Sequence, residues 1–336
     1  LEDIKVVTSG NQYDVLNPPD LLINDAVGTG ATGKVSLSGS LREIKIIDAG
    51  FDYVEHPIVN ISGGNGSGAL ASVSLKSINH SPAFNSEDAT DVGIGVTVST
   101  IHFPTPHKFR NIEKVTYNPN AQKAISGLST NSVYFTSIVD DQTVKLHNNE
   151  ADALAGIGTV TLLDFGVGTQ NLVSFNPKNV IESINVISGG QDYQNKEKVA
   201  SPTGISTFLN TVNITNHDYA SGEIVKYVSI GSSVGGLNSG NEYYVTKVDN
   251  NNFKLSEIGN GENNKDFFYK TKQYIDITSV GVGTHKFNYQ DIVVSIEGKL
   301  GVSSDTYKAQ AEPIFRGGIT SVQVTSNGNE FVIGTT

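Results

Sequence analysis

The stretch that most constrains this chain is one that it repeats four times. LEDIKVVTSGNQY (residues 1–13), LREIKIIDAGFDY (41–53), IESINVISGGQDY (181–193) and ITSVQVTSNGNEF (319–331) align on their glycine without a gap. The fourth column reads Ile4, Ile44, Ile184 and Val322, and the sixth Val6, Ile46, Val186 and Val324. Apolar residues two apart share one face of a strand. The tenth column is Gly10, Gly50, Gly190 and Gly328, where a positive φ at a turn is expected because a β-carbon would clash. The thirteenth is Tyr13, Tyr53, Tyr193 and Phe331, an aromatic placed to fold back over the apolar face. The phrase therefore reads as one hairpin unit, used repeatedly.

In the first two copies a glycine loop leads into a further strand: GTGATGKVSL (28–37) aligns with GSGALASVSL (66–75). Together these pieces define a module A. A second module, B, lies between the A copies. HKFRNIEKVTY (107–117) aligns without gaps to HDYASGEIVKY (217–227), so that His107 and His217 share a column. After a one-residue gap, GLSTNSVYFTSIVDDQTVKL (127–146) matches GLNSGNEYYVTKVDNNNFKL (236–255), and GVGT recurs at 166–169 and 281–284. The B strings read as strands with a hairpin at Asn- and Asp-rich turns. One helical turn is expected, at NEADALA (149–155).

The expected class is all-β, built from tandem small modules in an elongated chain. The modules fall at 1–40 (A1), 41–76 (A2), 101–178 (B1), 179–212 (A3), 213–300 (B2) and 301–336 (A4). The polar segment 77–100 matches no repeat and is expected to be a linker. Gly50, Gly190 and Gly328 lie about 140 residues apart, so the larger period is an A–B pair. An array cut at both ends is the expectation, with Leu1 then lying inside a longer parent. Small modules in tandem share only neighbour contacts, and each is small for an independent core. Neighbour packing or self-association, for instance a homotrimer, would supply the remainder.

Composition excludes several functions. The net charge of −11 and the absence of any basic run argue against a nucleic-acid surface. No apolar run approaches the roughly 20 residues that span a bilayer. The lack of cysteine removes disulfides and thiolate metal sites.

Five features suggest chemistry or binding. Gly28, Gly30 and Gly33 satisfy G-x-G-x-x-G, and Gly28 to Lys34 nearly make a phosphate loop. Both need a following helix; here Val35 and Leu37 alternate as a strand, and Val35 occupies the Mg²⁺-binding hydroxyl position. GSSVG (231–235) centres on Ser233 but precedes a loop and a strand, not the helix of a nucleophile elbow. His107 and His217 recur singly, whereas zinc takes three or four converging ligands. They are expected to bond backbone at a strand edge or to pack on the following aromatic. Glu87, Asp88 and Asp91, like Asp140 and Asp141, lack the spacing of a calcium loop and are expected to be solvated turn residues. In Tyr243–Tyr244 and Tyr134–Phe135, neighbours must face opposite sides of a strand, so one of each pair is expected to be exposed, for packing or for sugar. No catalytic residue, cofactor or metal site is expected.

The string H-x-[FY]…VxY…GGLNSGNEYYVTKVDNNNFKL, the segment YIDITSVGVGTHKFNY and the glycine–aromatic repeats resemble large tail-associated structural proteins of marine T4-like contractile phages. The likeness covers most of the chain outside 77–100. It implies a virion structural role in a baseplate, tail fibre or similar appendage, with other virion proteins, or a second copy, as partners. The alternative is a glycan-binding adhesin or receptor-binding module, touching a host-surface glycan.

Overall fold

The computed structural model describes residues 1–195, 197–258 and 273–331. The pieces 259–272 of module B2 and 332–336 of module A4 lie outside the described residues. The chain runs through β1 (Tyr13–Asp14), β2 (Thr29–Asp48), β3 (Ile58–Ser62) and β4 (Ser67–Ile78). A first inserted domain holds β5 (Ala83–Asn85), β6 (Val92–Gly93), β7 (Thr100–His102), β8 (Lys114–Asn118), β9 (Val133–Ile138), β10 (Thr143–His147), the helix α1 (Glu150–Ala155) and β11 (Thr169–Ser174). The chain then returns through β12 (Lys178–Gln191) and β13 (Tyr193–Asn195). A second inserted domain holds β14 (Glu197–Ala200), β15 (Ile205–Ser206), β16 (Thr211–Asn213), β17 (Ile224–Ile230), β18 (Glu242–Lys247), β19 (Asn252–Glu257) and β20 (Thr284–Tyr289). Two last strands, β21 (Val293–Glu297) and β22 (Gln310–Asn329), close the central body. The protein is all-β with antiparallel sheets, and its one described α-helix is the expected turn, capped by the Asn149 side chain and ended at Gly156.

The A segments do not form separate beads in sequence order, which corrects the tandem arrangement. Residues 37–41 hold no reversal, so the strand of A1 runs straight into A2 as the 20-residue β2. It cannot fold back on its own module and pairs instead with β22, across the whole chain. In the same way β4 pairs with β12, on the far side of the first inserted domain. One core joins Leu37, Leu41, Ile44, Tyr53, Ile181, Tyr193 and Phe315 from all parts of the chain.

The pairings themselves repeat. Leu75, Val73, Ala71 and Ala69 face Ile181, Ile184, Val186 and Gly189. Leu37, Val35, Gly33 and Ala31 face Ile319, Val322, Val324 and Asn327 in the same register. Phe315, Pro313 and Ala311 face Leu41, Ile44 and Ile46 likewise, which identifies 310–315 as a third strand of this type that composition alone conceals. Bulges fall at the second and seventh columns of each copy, at Arg42 and Ile47, Glu182 and Ile187, Thr320 and Thr325. The four-stranded sheet has the order β1-β22-β2-β13 and is pseudo-symmetric about its centre. There Gly39 faces Gly317, while Tyr193 pairs with Gly39 and Tyr13 with Gly317. A β-carbon on Gly39 would lie 2.8 Å from the Gly317 Cα, so the ribbons cross only where both residues are glycine.

The two inserted domains share one topology. The sheet β5-β11-β8-β9-β10-β7-β6 has the same order as β14-β20-β17-β18-β19-β16-β15. This corrects two expected boundaries. Segment 77–100 is not a linker: it supplies β5, β6 and the start of β7, and buries Phe84 and Val92 in the B1 core. Residues 197–213 are its counterpart and belong to B2, not A3. Strands of two or three residues at a sheet edge carry too few alternations to register as periodicity.

Candidate functional site

The repeated residues converge on backbone. Gly10, Gly50, Gly190 and Gly328 all take φ between 61° and 64°. Two residues on, Gln12, Asp52, Asp192 and Glu330 take φ between 61° and 65°, so all four copies share one double reversal. The aromatic ring then lies over the glycine itself. A β-carbon on Gly10 or Gly50 would meet Cε2 of Tyr13 or Tyr53 at 2.8 Å, and one on Gly328 would meet Cε2 of Phe331 at 2.6 Å. The ring of Tyr193 covers Gly66, the aligned glycine of the partner strand, as Phe331 covers Gly28. Tyr53 also accepts a 2.8 Å hydrogen bond at its hydroxyl from the Ala309 amide.

His107 and His217 fill one backbone role in the two B domains. Each ring accepts a 2.9 Å bond at Nδ1 from the amide two residues on, Phe109 or Tyr219. Each Nε2 lies within hydrogen-bond distance of a carbonyl, Asp140 at 3.0 Å and Asp249 at 2.9 Å, so Nε2 carries the proton. The rings stack on Phe109 and Tyr219 at centroid distances of 5.4 and 5.5 Å. Burial pushes the pKa of both below the ordinary value of 6.5. Both ring nitrogens are thus committed within the fold, and neither is placed to exchange a proton with a bound molecule.

The same loop is closed by a carboxylate. Glu113 accepts from the Arg110 amide at 2.7 Å, and Glu223 from the Ala220 amide at 3.0 Å. Tyrosine hydroxyls close the next loops: Tyr117 and Tyr227 accept from Ile125 and Val234 at 2.8 and 2.9 Å, and Tyr134 and Tyr243 from Ser129 and Asn238 at 2.8 Å each. The one-residue gap in the alignment falls inside the first of these loops, which Tyr117 closes over eight residues and Tyr227 over seven.

Sequence periodicity gave no sign of the ionic joint between the central body and B1. Asp52, 1% exposed, receives the Arg110 guanidinium at 2.6 Å (Nε) and 2.5 Å (Nη2). Lys178, also buried, donates to Glu113 at 2.7 Å and reaches Asp52 at 3.4 Å. Two carboxylates meet two cations, and the hydrogen bonds that Arg110 donates to Asp52 raise its pKa. Beside this cluster Phe51 and Phe109 sandwich His80 at 4.8 and 5.2 Å, and burial lowers the pKa of that ring. The second joint also centres on a lysine. Lys198, buried with its pKa pushed down by desolvation, reaches Asp218 and Ser321 Oγ at 3.5 Å, while Gln323 donates to the Val199 carbonyl at 3.1 Å.

Other singled-out residues lie apart from these joints. Gly28 to Lys34 lead into and form the extended start of β2, with no helix to present amides to a phosphate. Ser233 Oγ bonds Ser229 Oγ at 2.9 Å. Asp88 and Asp140 accept from Thr90 and Gln142 in turns, at 2.8 Å each. Among the described residues no three His, Asp or Glu side chains cluster to hold a metal ion. The expectation of one exposed aromatic per pair fails at Tyr243 and Tyr244, which are 3% and 1% exposed: both faces of β18 are covered. A polar cleft of about 430 Å³ runs between B2 and β22, past Ser201, Asn213, Thr284 and Gln323, and none of its lining residues ionises.

Compared with models of known protein families, with curated proteins and with solved structures, the chain matches none.

Proposed function

We propose that this chain is a structural component of a phage virion, a β-repeat appendage or spacer of the tail, baseplate or fibre region. The observation that carries this reading is where the repeated side chains go. Glycine and aromatic residues set a backbone reversal, histidines and glutamates close loops, and the buried lysines fasten inserted domains to a body. Such residues supply rigidity and shape. Chemistry would instead leave titratable groups open to a ligand. The β2–β22 ribbon spans about 60 Å at roughly 3.3 Å per residue, a suitable length for a spacer. The likeness of the module B strings to tail-associated phage proteins supplies the particle.

Immunogold electron microscopy of purified contractile-tailed particles, with antibody raised against this chain, tests the reading. Label confined to the tail or its appendages is expected. Absence of the chain from purified particles that its own genome encodes would refute it.

A further inference from the structure

The joint between the central body and B1 brings three side chains of complementary reactivity together out of water. Lys178 Nζ lies 2.7 Å from Glu113 Oε2 and 3.4 Å from Asp52 Oδ2. The side chains of Lys178, Glu113 and Asp52 are 3%, 8% and 1% exposed. Phe51, His80 and Phe109 pack ring on ring beside them. An amine, a carboxyl group to be attacked and a second carboxylate to carry the proton are the parts that amide formation needs.

The backbone around these groups is held on every side. The Tyr53 amide donates to the Asn179 carbonyl, and Asn179 Nδ2 to the Tyr53 carbonyl, at 3.0 Å each. The immediate neighbours of Asp52 and Lys178 thus fasten one another. The Gly301 amide donates to the Asp52 carbonyl at 2.8 Å. The Glu113 amide donates to Thr136 Oγ1 at 3.0 Å, and its Oε2 also accepts from the Arg110 amide. Arg110 donates from Nε to Asp52 Oδ2 and from Nη2 to Oδ1. Its guanidinium lies against Gly301, where a β-carbon would overlap it. Groups held about 3–3.5 Å apart and already oriented need little further entropy to react.

The charges favour the same outcome. Two cations and two carboxylates are costly to keep together away from water. An amide between Lys178 and Asp52 removes one of each and leaves Arg110 to balance Glu113. The B2 joint is built otherwise. Lys198 reaches Asp218 at 3.5 Å, but that carboxylate is 46% exposed. Glu223, the counterpart of Glu113, accepts from the Tyr289 hydroxyl at 2.6 Å.

We propose that Asp52 and Lys178 join in an isopeptide bond, formed by the folded chain itself with Glu113 as proton carrier. The Lys178 ammonium passes one proton to Asp52 Oδ2, which leaves a neutral amine beside a neutral carboxyl group. Nζ then attacks Cγ. The new C–N bond takes the nitrogen lone pair, and the C=O π pair moves onto Oδ1, where Arg110 Nη2 stabilises the charge. Glu113 accepts a proton from Nζ and returns it to Oδ2, which departs as water while the C=O bond re-forms. The step is redox-neutral, and Glu113 ends as it began. The bond closes a covalent ring around β3, β4 and B1, so tension between residues 52 and 178 no longer passes through the inserted domain. The chemistry acts on the chain itself, and it stands apart from the virion reading.

The test is mass spectrometry of the denatured full chain, after incubation of the folded protein at neutral pH. A mass one water below that of the sequence is expected, and proteolysis should yield a branched peptide joining the segments of Asp52 and Lys178. K178A and D52A should keep the full mass. In E113Q the side chain still accepts from the Arg110 amide but carries no proton, so the bond should form about 100-fold more slowly. Amide exchange across β8 to β11 should stay unchanged in that variant. A full mass for the unaltered chain would overturn the proposal. So would a lost water that maps within one linear peptide, a link from Lys178 to Glu113, or an E113Q chain that links as fast as the unaltered one.

Discussion

Substituting alanine at Gly10 and at Gly50 separates the cost of backbone conformation from the cost of the paired strand. Both glycines sit at φ of 64°, so the left-handed penalty is the same, about 1–2 kcal/mol. In each case roughly 0.4–1 kcal/mol returns through the less flexible unfolded chain. At Gly10 the added carbon meets only the far edge of the Tyr13 ring, at 2.8 Å, and that ring is 37% exposed and free to swing. G10A should therefore cost about 1 kcal/mol. At Gly50 the carbon meets the Ala309 amide nitrogen and the Tyr53 hydroxyl, each at 2.7 Å. Those two atoms bond each other, and one of them is backbone of Ala309, the residue that leads into β22. Parting them leaves a buried donor unsatisfied, at about 1–3 kcal/mol, so G50A should cost about 3 kcal/mol in all. The difference, about 2 kcal/mol, is roughly a 30-fold faster exchange of the amides that open with β2 and β22. Native-state hydrogen exchange on 41–48 and 310–315 reads this locally, which suits a protein with several cores. Equal costs at the two sites would refute the claim that the Ala309–Tyr53 hydrogen bond packed on Gly50 makes the glycine obligatory.

D52N keeps size and left-handed tolerance but removes the charge facing Arg110 and Lys178. Because Arg110 is part exposed, the loss is discounted to about 2 kcal/mol, read as faster exchange in 107–113. Y117F and Y227F should each cost about 1–2 kcal/mol in denaturant titrations, since each strands a loop amide in a buried place. His80, His107 and His217 are all held below 6.5 by burial, so at that pH the unfolded chain binds more protons than the folded one. Stability should thus be full above pH 6.5 and fall as pH drops below it. A melting-temperature series from pH 8 to 5 should show this, with a shallower slope in the double variant H107N/H217N.

Much of the site was legible because its physics is local. A glycine three residues before an aromatic, or a histidine two before one, describes a few bonds of backbone, and a short string carries all of it. The joint at Asp52 was not legible, since its partners lie at 110 and 178 and no spacing rule connects them.

The sequence by itself determined the all-β class, the reversal at Gly10, Gly50, Gly190 and Gly328, and the kinship of the two B domains, because strand alternation and turn chemistry act over two to four residues. Only the tertiary structure decided which strands pair. A strand of A1 can find its match in A2, A3 or A4 with equal local propensity. The choice fell to the uninterrupted run through Gly39 and to the core shared by Leu41, Ile181 and Phe315, contacts between residues far apart along the chain.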